Sequence, residues 1–365
     1  MKVFVTGTRG IPNIPGGVEA HCSQLYPLLA QQGFNIRIAR RASYVKEKIV
    51  FWKGISLVDL FSPKSKSFEA IVHTLLALLE AKKWGADIMH IHAIGPGLMV
   101  PVARLMGMKV VFTHHGSDYE RANWGWVART ILKLGEKLSG LYANKVIAIS
   151  DIIQGTLERR CGRQSTLIFN GVKIRERTKE YKYLDTLELK PEKYILVVAR
   201  FVPEKGLHVL LEAYSNIDRD IKLVIAGDAD HETQYSRDLK SKAAKSSNII
   251  LTGYIVGEEL HQLYSHAKLF VLPSFHEGLP IALLEALSYG LRPLASDIPA
   301  NERVPISKDH YFKVGSTSDL QEKITNFLDG KTEQLNESSY IEMAEKYYSW
   351  PKIAVQTADI YKSLK

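Results

Sequence analysis

Short apolar runs alternate with helical segments along almost the whole chain, and that alternation leaves few folds open. MKVFVTG, FNIRIAR, ADIMHIH, KVVFTHH, KVIAIS and STLIFNG read as strands in the first half, and YILVVAR, KLVIAGD, NIILTGY, KLFVLPS and RPLASD in the second. Between them lie helical patterns such as VEAHCSQLYPLLAQQG, ended by Gly33, and FEAIVHTLLALLEAKK, near Phe68–Lys83. Apolar strands separated by crossover helices make parallel sheets covered on both faces. Residues 173–193, VKIRERTKEYKYLDTLELKPE, are charged and poor in apolar side chains, as a linker would be. The expected architecture is α/β: two Rossmann-like doubly wound domains, 1–172 and 194–349. At 365 residues and 45% hydrophobic content the chain can bury two cores.

Composition also excludes several classes. No run of 18 apolar residues exists, so no segment is expected to span a membrane. The N-terminal MKVFVTG enters a strand directly and lacks the apolar centre of a signal peptide, which suggests a cytoplasmic protein. Cys22 and Cys161 form neither a disulfide framework nor a metal pattern. Charge is uneven. Residues 1–172 carry 22 Lys+Arg against 11 Asp+Glu, a net of +11, and residues 173–365 carry 26 against 28, a net of −2, summing to +9. The first half is therefore expected to meet something anionic.

Ligands of doubly wound sheets sit beyond the carboxyl ends of the strands, so the strand-end loops are where a binding site is expected. The richest is PSFHEGLPIALLEALSYG, residues 273–290, a loop that enters a helix around Pro280 and leaves it at Gly290. The N–H groups of Gly278 and Leu279 and the positive end of the helix suit a phosphate. Glu285 is the lone charge in IALLEALSY, a helix too apolar for the surface. A buried carboxylate needs a partner, here either a ligand hydroxyl or an arginine. In VVARFVPEKG, Arg200 and Lys205 form two cations suited to a diphosphate, or else a solvated pair around Glu204. In THHGSD, His115 ends a strand and could donate to a sugar hydroxyl, with Asp118 orienting it or touching an acceptor; the plainer reading is a His satisfied by backbone. His90 and His92 read as structural.

The Gly-rich loop GTRGIPNIPGG leads through Gly16 and Gly17 into a helix and allows close backbone approach to a phosphate or sugar. It loosely matches a dinucleotide loop too, with Arg40 and Arg41 as NADP-type cations, but the Tyr44/Lys48 pair lies where no hydride chemistry is expected. Asp228 and Asp230 have the D-x-D spacing of a divalent-metal site. A polar turn closing KLVIAG is the simpler reading, and no metal or other cofactor is expected.

TRGIPNIPGGVE, THHGSD, FNGV, VVARFVPEKG and SFHEGLPIALLEA, the last with Glu277 and Glu285 as a Glu-x7-Glu pair, resemble in order the motifs of retaining glycosyltransferases of family 4. The resemblance covers nearly the whole chain. It implies the GT-B architecture, two Rossmann-like domains facing across a cleft, with the C-terminal helix of about 350–365 returning to the first. It implies that Glu277 contacts hydroxyls of the donor sugar and that Gly278, Leu279 and Pro280 hold the diphosphate. Glu285 would bind the ribose, Arg200 and Lys205 would neutralise the leaving diphosphate, His115 would approach the sugar, and Gly16 and Gly17 would close the site. TRGIP and HGSDYERANW are most similar to a branch that builds bacterial surface polysaccharides. The expected partners are then a nucleotide diphosphate sugar and a glycan or lipid-linked glycan acceptor, with no nucleic acid. A nucleotide-sugar epimerase of the same two-domain fold and an NADP-dependent dehydrogenase are the alternatives.

The stretch WGWVARTILKLGEKLSGLYANK adds a location. At helical spacing Val127, Ile131, Leu134, Leu138 and Leu141 share one face, Arg129, Lys133 and Lys137 line another, and Trp124 and Trp126 stand at the start. A basic amphipathic helix of this kind can lie on an anionic inner-membrane surface. The bland alternative packs the apolar face on the core and leaves the cations solvated.

Overall fold

The computed structural model describes residues 1–14, 16–63, 69–117, 119, 125–229, 231–332 and 336–365. Two compact units result: Met1–Gly171 together with Trp350–Lys365, and Val172–Ser349.

The first unit is built on a sheet of β1 (Lys2–Thr6), β2 (Asn35–Arg41), β3 (Phe51–Trp52), β4 (Ile55–Leu60), β5 (Ile88–His92), β6 (Lys109–His114), β7 (Lys145–Ala148) and β8 (Thr166–Leu167). Their order is β3-β4-β2-β1-β5-β6-β7-β8. Pairing is parallel throughout except for β3 with β4, a hairpin turned by Lys53 and Gly54, both at positive φ. That hairpin went unread in the sequence. Helix Gly17–Gln31 and the C-terminal helix Trp350–Lys362 cover one face, burying Leu25, Tyr26, Ile353 and Tyr361. Glu69–Trp84 and Val100–Leu105 cover the other. Tyr361 anchors the returning tail, because its hydroxyl bonds Nδ1 of His90 at 2.5 Å inside the core.

Helix Trp126–Tyr142 settles the question of its two faces. The side turned inward is Gly135, Glu136, Ser139 and Gly140, not the Leu/Val/Ile stripe. Gly135 explains the arrangement: a Cβ there would lie 2.1 Å from the Ile94 carbonyl oxygen, so the two backbones meet where only glycine fits. Of the apolar stripe, Val127 is 50%, Leu134 48% and Leu141 45% exposed, with Trp126 80% exposed at the helix start, whereas Ile131 and Leu138 are half-buried. Arg129, Lys133 and Lys137 are exposed beside it. Trp124 lies outside the described residues. No described helix is long and apolar enough to cross a membrane.

The second unit holds a wholly parallel sheet of β9 (Tyr194–Val198), β10 (Lys222–Ala226), β11 (Ile249–Gly253), β12 (Leu269–Leu272), β13 (Pro293–Ser296) and β14 (Tyr311–Phe312), ordered β11-β10-β9-β12-β13-β14. Residues 173–193, expected to be a linker, belong to this unit instead. Arg177 Nε donates to the Tyr289 carbonyl at 2.7 Å, and the backbone N–H groups of Thr178 and Tyr183 donate to Ser265 Oγ and Gln262 Oε1. Leu184 and Leu189 are buried as well, so polar contacts and these two leucines together hold the segment.

Candidate active site

Strand order reverses between β1 and β5 in one sheet and between β9 and β12 in the other. Crevices for ligands form at such switch points. In the second unit the two loops there are those after β9, with Arg200 and Lys205, and after β12, with Ser274 and Glu277–Pro280.

These two loops are tied together. Phe275 N donates to the Glu204 carbonyl at 2.8 Å. At Gly206, with φ +64, a Cβ would stand 2.0 Å from the Pro273 carbonyl oxygen, so the close approach requires glycine. Across the junction Lys205 Nζ meets Glu277 Oε1 at 2.6 Å, and Ser274 Oγ donates to the same oxygen at 2.7 Å. The two charged side chains are only 20% and 9% exposed, so each is fixed by the other before any ligand arrives. Helix Ile281–Ser288 starts immediately afterwards at Pro280 and carries no side-chain cap. Its first-turn N–H groups, with Gly278 and Leu279, are placed to receive an anion. Arg200 lies exposed two residues past β9.

Glu285, one turn along that helix, accepts from the Tyr264 hydroxyl at 3.1 Å. Burial raises its pKa, while Tyr264 and the nearby charge of Arg175 act in the opposite sense. Neither Tyr264 nor Arg175 was identified from sequence; Arg175 sits in the stretch read as linker. A raised pKa means that the folded carboxyl binds its proton more tightly than the unfolded one. Stability therefore declines as pH climbs from about 4.5, and at neutral pH the charged form is a cost. Glu285→Gln should thus stabilise the ligand-free protein by roughly 1 kcal/mol, the order set by a buried group with an incomplete hydrogen-bond set. Thermal melts of the ligand-free wild type and variant read the effect. A lower Tm without ligand would contradict the placement.

In the first unit, Gly16 caps helix Gly17–Gln31 at φ +148, and a Cβ there would strike Glu19 Oε2 at 1.9 Å. Glu19 is buried and accepts from Arg9 N at 2.7 Å and Thr8 Oγ1 at 3.1 Å, locking the Gly-rich loop. The residue that does this was legible only as the end of GGVE. Gly17 is different: nothing described lies within 4 Å of its missing Cβ, so no packing requires glycine there.

His115 sits at the end of β6 within a buried aromatic network. Its Nε2 bonds His92 Nδ1 at 2.8 Å, and His92 Nε2 bonds the Tyr26 hydroxyl at 2.5 Å. Tyr26 bonds His90 Nδ1 at 3.0 Å, and His90 Nε2 bonds Thr113 Oγ1 at 2.7 Å. His90 and His92 are thus core residues, as expected, and they orient the ring of His115. Burial first, then repulsion from His21, His114 and His90, holds His115 well below the usual histidine range. It is neutral at physiological pH and serves as a hydrogen-bonding group rather than a cation. Asp118 lies outside the described residues.

Two metal-capable sets can be considered. Asp228 pairs with Lys240 at 2.8 Å and accepts from Ala229 N, which makes it a turn residue; Asp230 lies outside the described residues. His21, His92 and His115 have ring nitrogens within 4.8 Å of one another. Nδ1–H of His21 donates to Asn170 Oδ1 at 2.7 Å, leaving its Nε2 buried without a partner.

Residues 15–176 match the family described as Glycosyltransferase Family 4, and residues 184–346 match Glycosyl transferases group 1. The chain is 24% identical over 379 residues to the phosphatidyl-myo-inositol mannosyltransferase of Mycobacterium leprae, covering 96% of this chain and 94% of that one. It is 26% identical over 266 residues to the putative teichuronic acid biosynthesis glycosyltransferase TuaC of Bacillus subtilis, covering 70% and 65%. Among solved structures, sucrose-phosphate synthase from Thermosynechococcus elongatus superposes with a TM-score of 0.84 at 20% identity, over 100% and 98% of the chains. Anabaena HepE in complex with UDP-glucose gives 0.81 at 16% identity, over 99% of each. The fold is that of GT-B enzymes.

Proposed function

Because the chain belongs to the glycosyltransferases, with a family 4 domain followed by a group 1 domain, we propose that it is a retaining hexosyltransferase. The donor is a nucleotide diphosphate sugar and the acceptor a lipid-linked glycan of a surface polysaccharide. The observation that carries this reading is the Lys205–Glu277 pair at 2.6 Å, set immediately before the uncapped helix Ile281–Ser288. Lys205, Arg200 and the helix N-terminus neutralise the diphosphate as the bond from C1 to its oxygen breaks. The diphosphate leaves with the bonding electrons. The acceptor hydroxyl oxygen attacks C1 on the face just vacated, and its proton passes to a diphosphate oxygen. Glu277 holds hydroxyls of the sugar, Glu285 the ribose, and neutral His115 hydrogen-bonds the sugar. Differential scanning fluorimetry against a panel of nucleotide diphosphate sugars tests the donor assignment. One base and sugar should raise Tm in wild type and less in Lys205→Ala; no shift with any donor would overturn it.

Positive charge from Lys205, Arg200 and the helix takes the place of a divalent ion, so EDTA is expected to leave the rate unchanged. Loss of activity with EDTA and rescue by Mn²⁺ or Mg²⁺ would contradict this and reassign the three histidines as ligands.

The acceptor is reached from a membrane surface. Supporting this, the exposed stripe of Trp126, Val127, Leu134 and Leu141 runs beside Arg129, Lys133 and Lys137 on one helix. Each basic residue near an anionic bilayer contributes about 1 kcal/mol. Liposome co-sedimentation should depend on anionic lipid and weaken when Arg129, Lys133 and Lys137 are changed to Glu. Equal binding to neutral vesicles would remove the docking role.

A further inference from the structure

The basic edge of helix Trp126–Tyr142 faces a second helix, Asp151–Cys161, and the two border an open pocket of about 470 Å³. Tyr119, Arg129, Lys133, Thr156, Arg159 and Arg160 line it. Four of these six side chains are cations, and none of the described lining residues is a carboxylate. A solvated surface would spread such charges apart; here they are gathered and held. Arg160 Nη1 donates to the Tyr119 hydroxyl at 2.5 Å and meets Glu136 Oε2 at 3.0 Å behind the pocket. Lys133 Nζ and the Arg160 guanidinium lie 5.6 Å and 4.9 Å from the centre of the Tyr119 ring. Glu136 is itself fixed: burial alone would push its carboxyl up, but His114 and Arg160 hold it below the ordinary range. It stays charged and anchors Arg160. Arg159 Nη2 donates to Thr156 Oγ1 at 3.4 Å, bringing a second guanidinium to the same wall, while the Thr156 hydroxyl itself donates to the Ile152 carbonyl at 2.9 Å.

We propose that this pocket binds the diphosphate headgroup of a lipid-borne acceptor. Arginine forks and a lysine around one cavity are the donor set for a multiply charged phosphate. The volume lies in the range of small-ligand sites. The source is lipid-borne because the exposed apolar stripe belongs to the same helix as Arg129 and Lys133, so an anion seated here can carry an apolar tail along that stripe. This rests on the glycosyltransferase reading with a lipid-linked acceptor. The pocket would hold the acceptor's diphosphate, and its described lining belongs wholly to the unit Met1–Gly171 plus Trp350–Lys365.

The test uses the full chain and phosphatidylcholine vesicles doped either with a polyprenyl diphosphate or with phosphatidylglycerol at matched charge. Wild type should bind the first about tenfold more tightly, the order of one charge-assisted hydrogen bond. Arg159→Lys, which keeps the charge but removes the guanidinium fork, should erase that margin. Its binding to phosphatidylglycerol vesicles, its Tm and its response to nucleotide sugars should stay as in wild type, since Arg129, Lys133, Lys137 and the donor loops remain. Equal binding of wild type to both vesicles, or a margin that survives Arg159→Lys, overturns the proposal. Inorganic pyrophosphate competing at the same concentration as the lipid would assign the pocket to a soluble diphosphate and overturn the lipid source. A donor panel that fails while the lipid margin persists would instead strike the enzymatic reading and leave the pocket standing.

Discussion

Lys205→Ala is expected to lower sugar transfer by roughly 10²–10³ at saturating donor, the size of a single lost contact to charge developing in a transition state. The fold should survive, because Lys205 lies in a short turn, but Tm should fall, because Glu277, only 9% exposed, loses its cation. Glu277→Ala should give a loss of similar order for a different reason. Removing the lysine leaves a carboxylate 9% exposed with only Ser274 Oγ beside it. Removing the glutamate frees the lysine but takes away the group assigned to the sugar. The double variant is therefore expected to lose less than the sum of the single losses, as residues in contact do. Near-full turnover by folded Lys205→Ala would refute the leaving-group role. Full additivity would mean that the 2.6 Å pair is incidental.

The second large effect is on stability. Burial holds His21 and His73 down at about 4 and His90 at about 3, and keeps His92 and His115 well below the usual value. In the unfolded chain each would take up a proton near pH 6.5. Stability is therefore lost as pH falls from about 6.5 towards 4, at about 1.4 kcal/mol per pH unit for each such histidine. Three of them alone cost several kcal/mol by pH 5, a large share of the 5–15 kcal/mol typical of a folded domain. All these histidines lie in the unit Met1–Gly171 plus Trp350–Lys365, and so do all five tryptophans, at 52, 84, 124, 126 and 350. Tryptophan fluorescence thus reports this unit alone. Its emission is expected to shift red cooperatively between about pH 6 and 4.5; a flat signal across that window would contradict the neutral, buried state of the cluster.

Much of this was legible in the sequence, for identifiable reasons. Apolar strands between helical patterns specify parallel sheets, and the loops after β9 and β12 carry the densest run of chemistry-bearing residues because they flank a switch point. The partners of those residues were not legible. Tyr264 reaches Glu285 from a different helix, and Arg175 arrives from a stretch whose lack of apolar residues suggested a free linker. Periodicity found the two faces of helix Trp126–Tyr142 but could not say which one faces inward. The signal was there in Gly135, Ser139 and Gly140, small residues spaced for a close helix contact, whereas an apolar stripe is the usual mark of a core face. Similarly, His90 and His92 could be read as structural from their place in a strand, but not their link through Tyr26 to Tyr361 of the C-terminal helix.

The central claim is sugar transfer from a nucleotide diphosphate donor with retention at the anomeric carbon. The direct measurement is product analysis by mass spectrometry and NMR, with a thermally stabilising donor incubated with and without a polyprenyl-linked glycan. Nucleoside diphosphate should appear together with a lengthened acceptor whose new linkage keeps the donor's anomeric configuration, and Lys205→Ala should form little of either. An inverted linkage, or a donor epimer formed without any acceptor, would contradict the account.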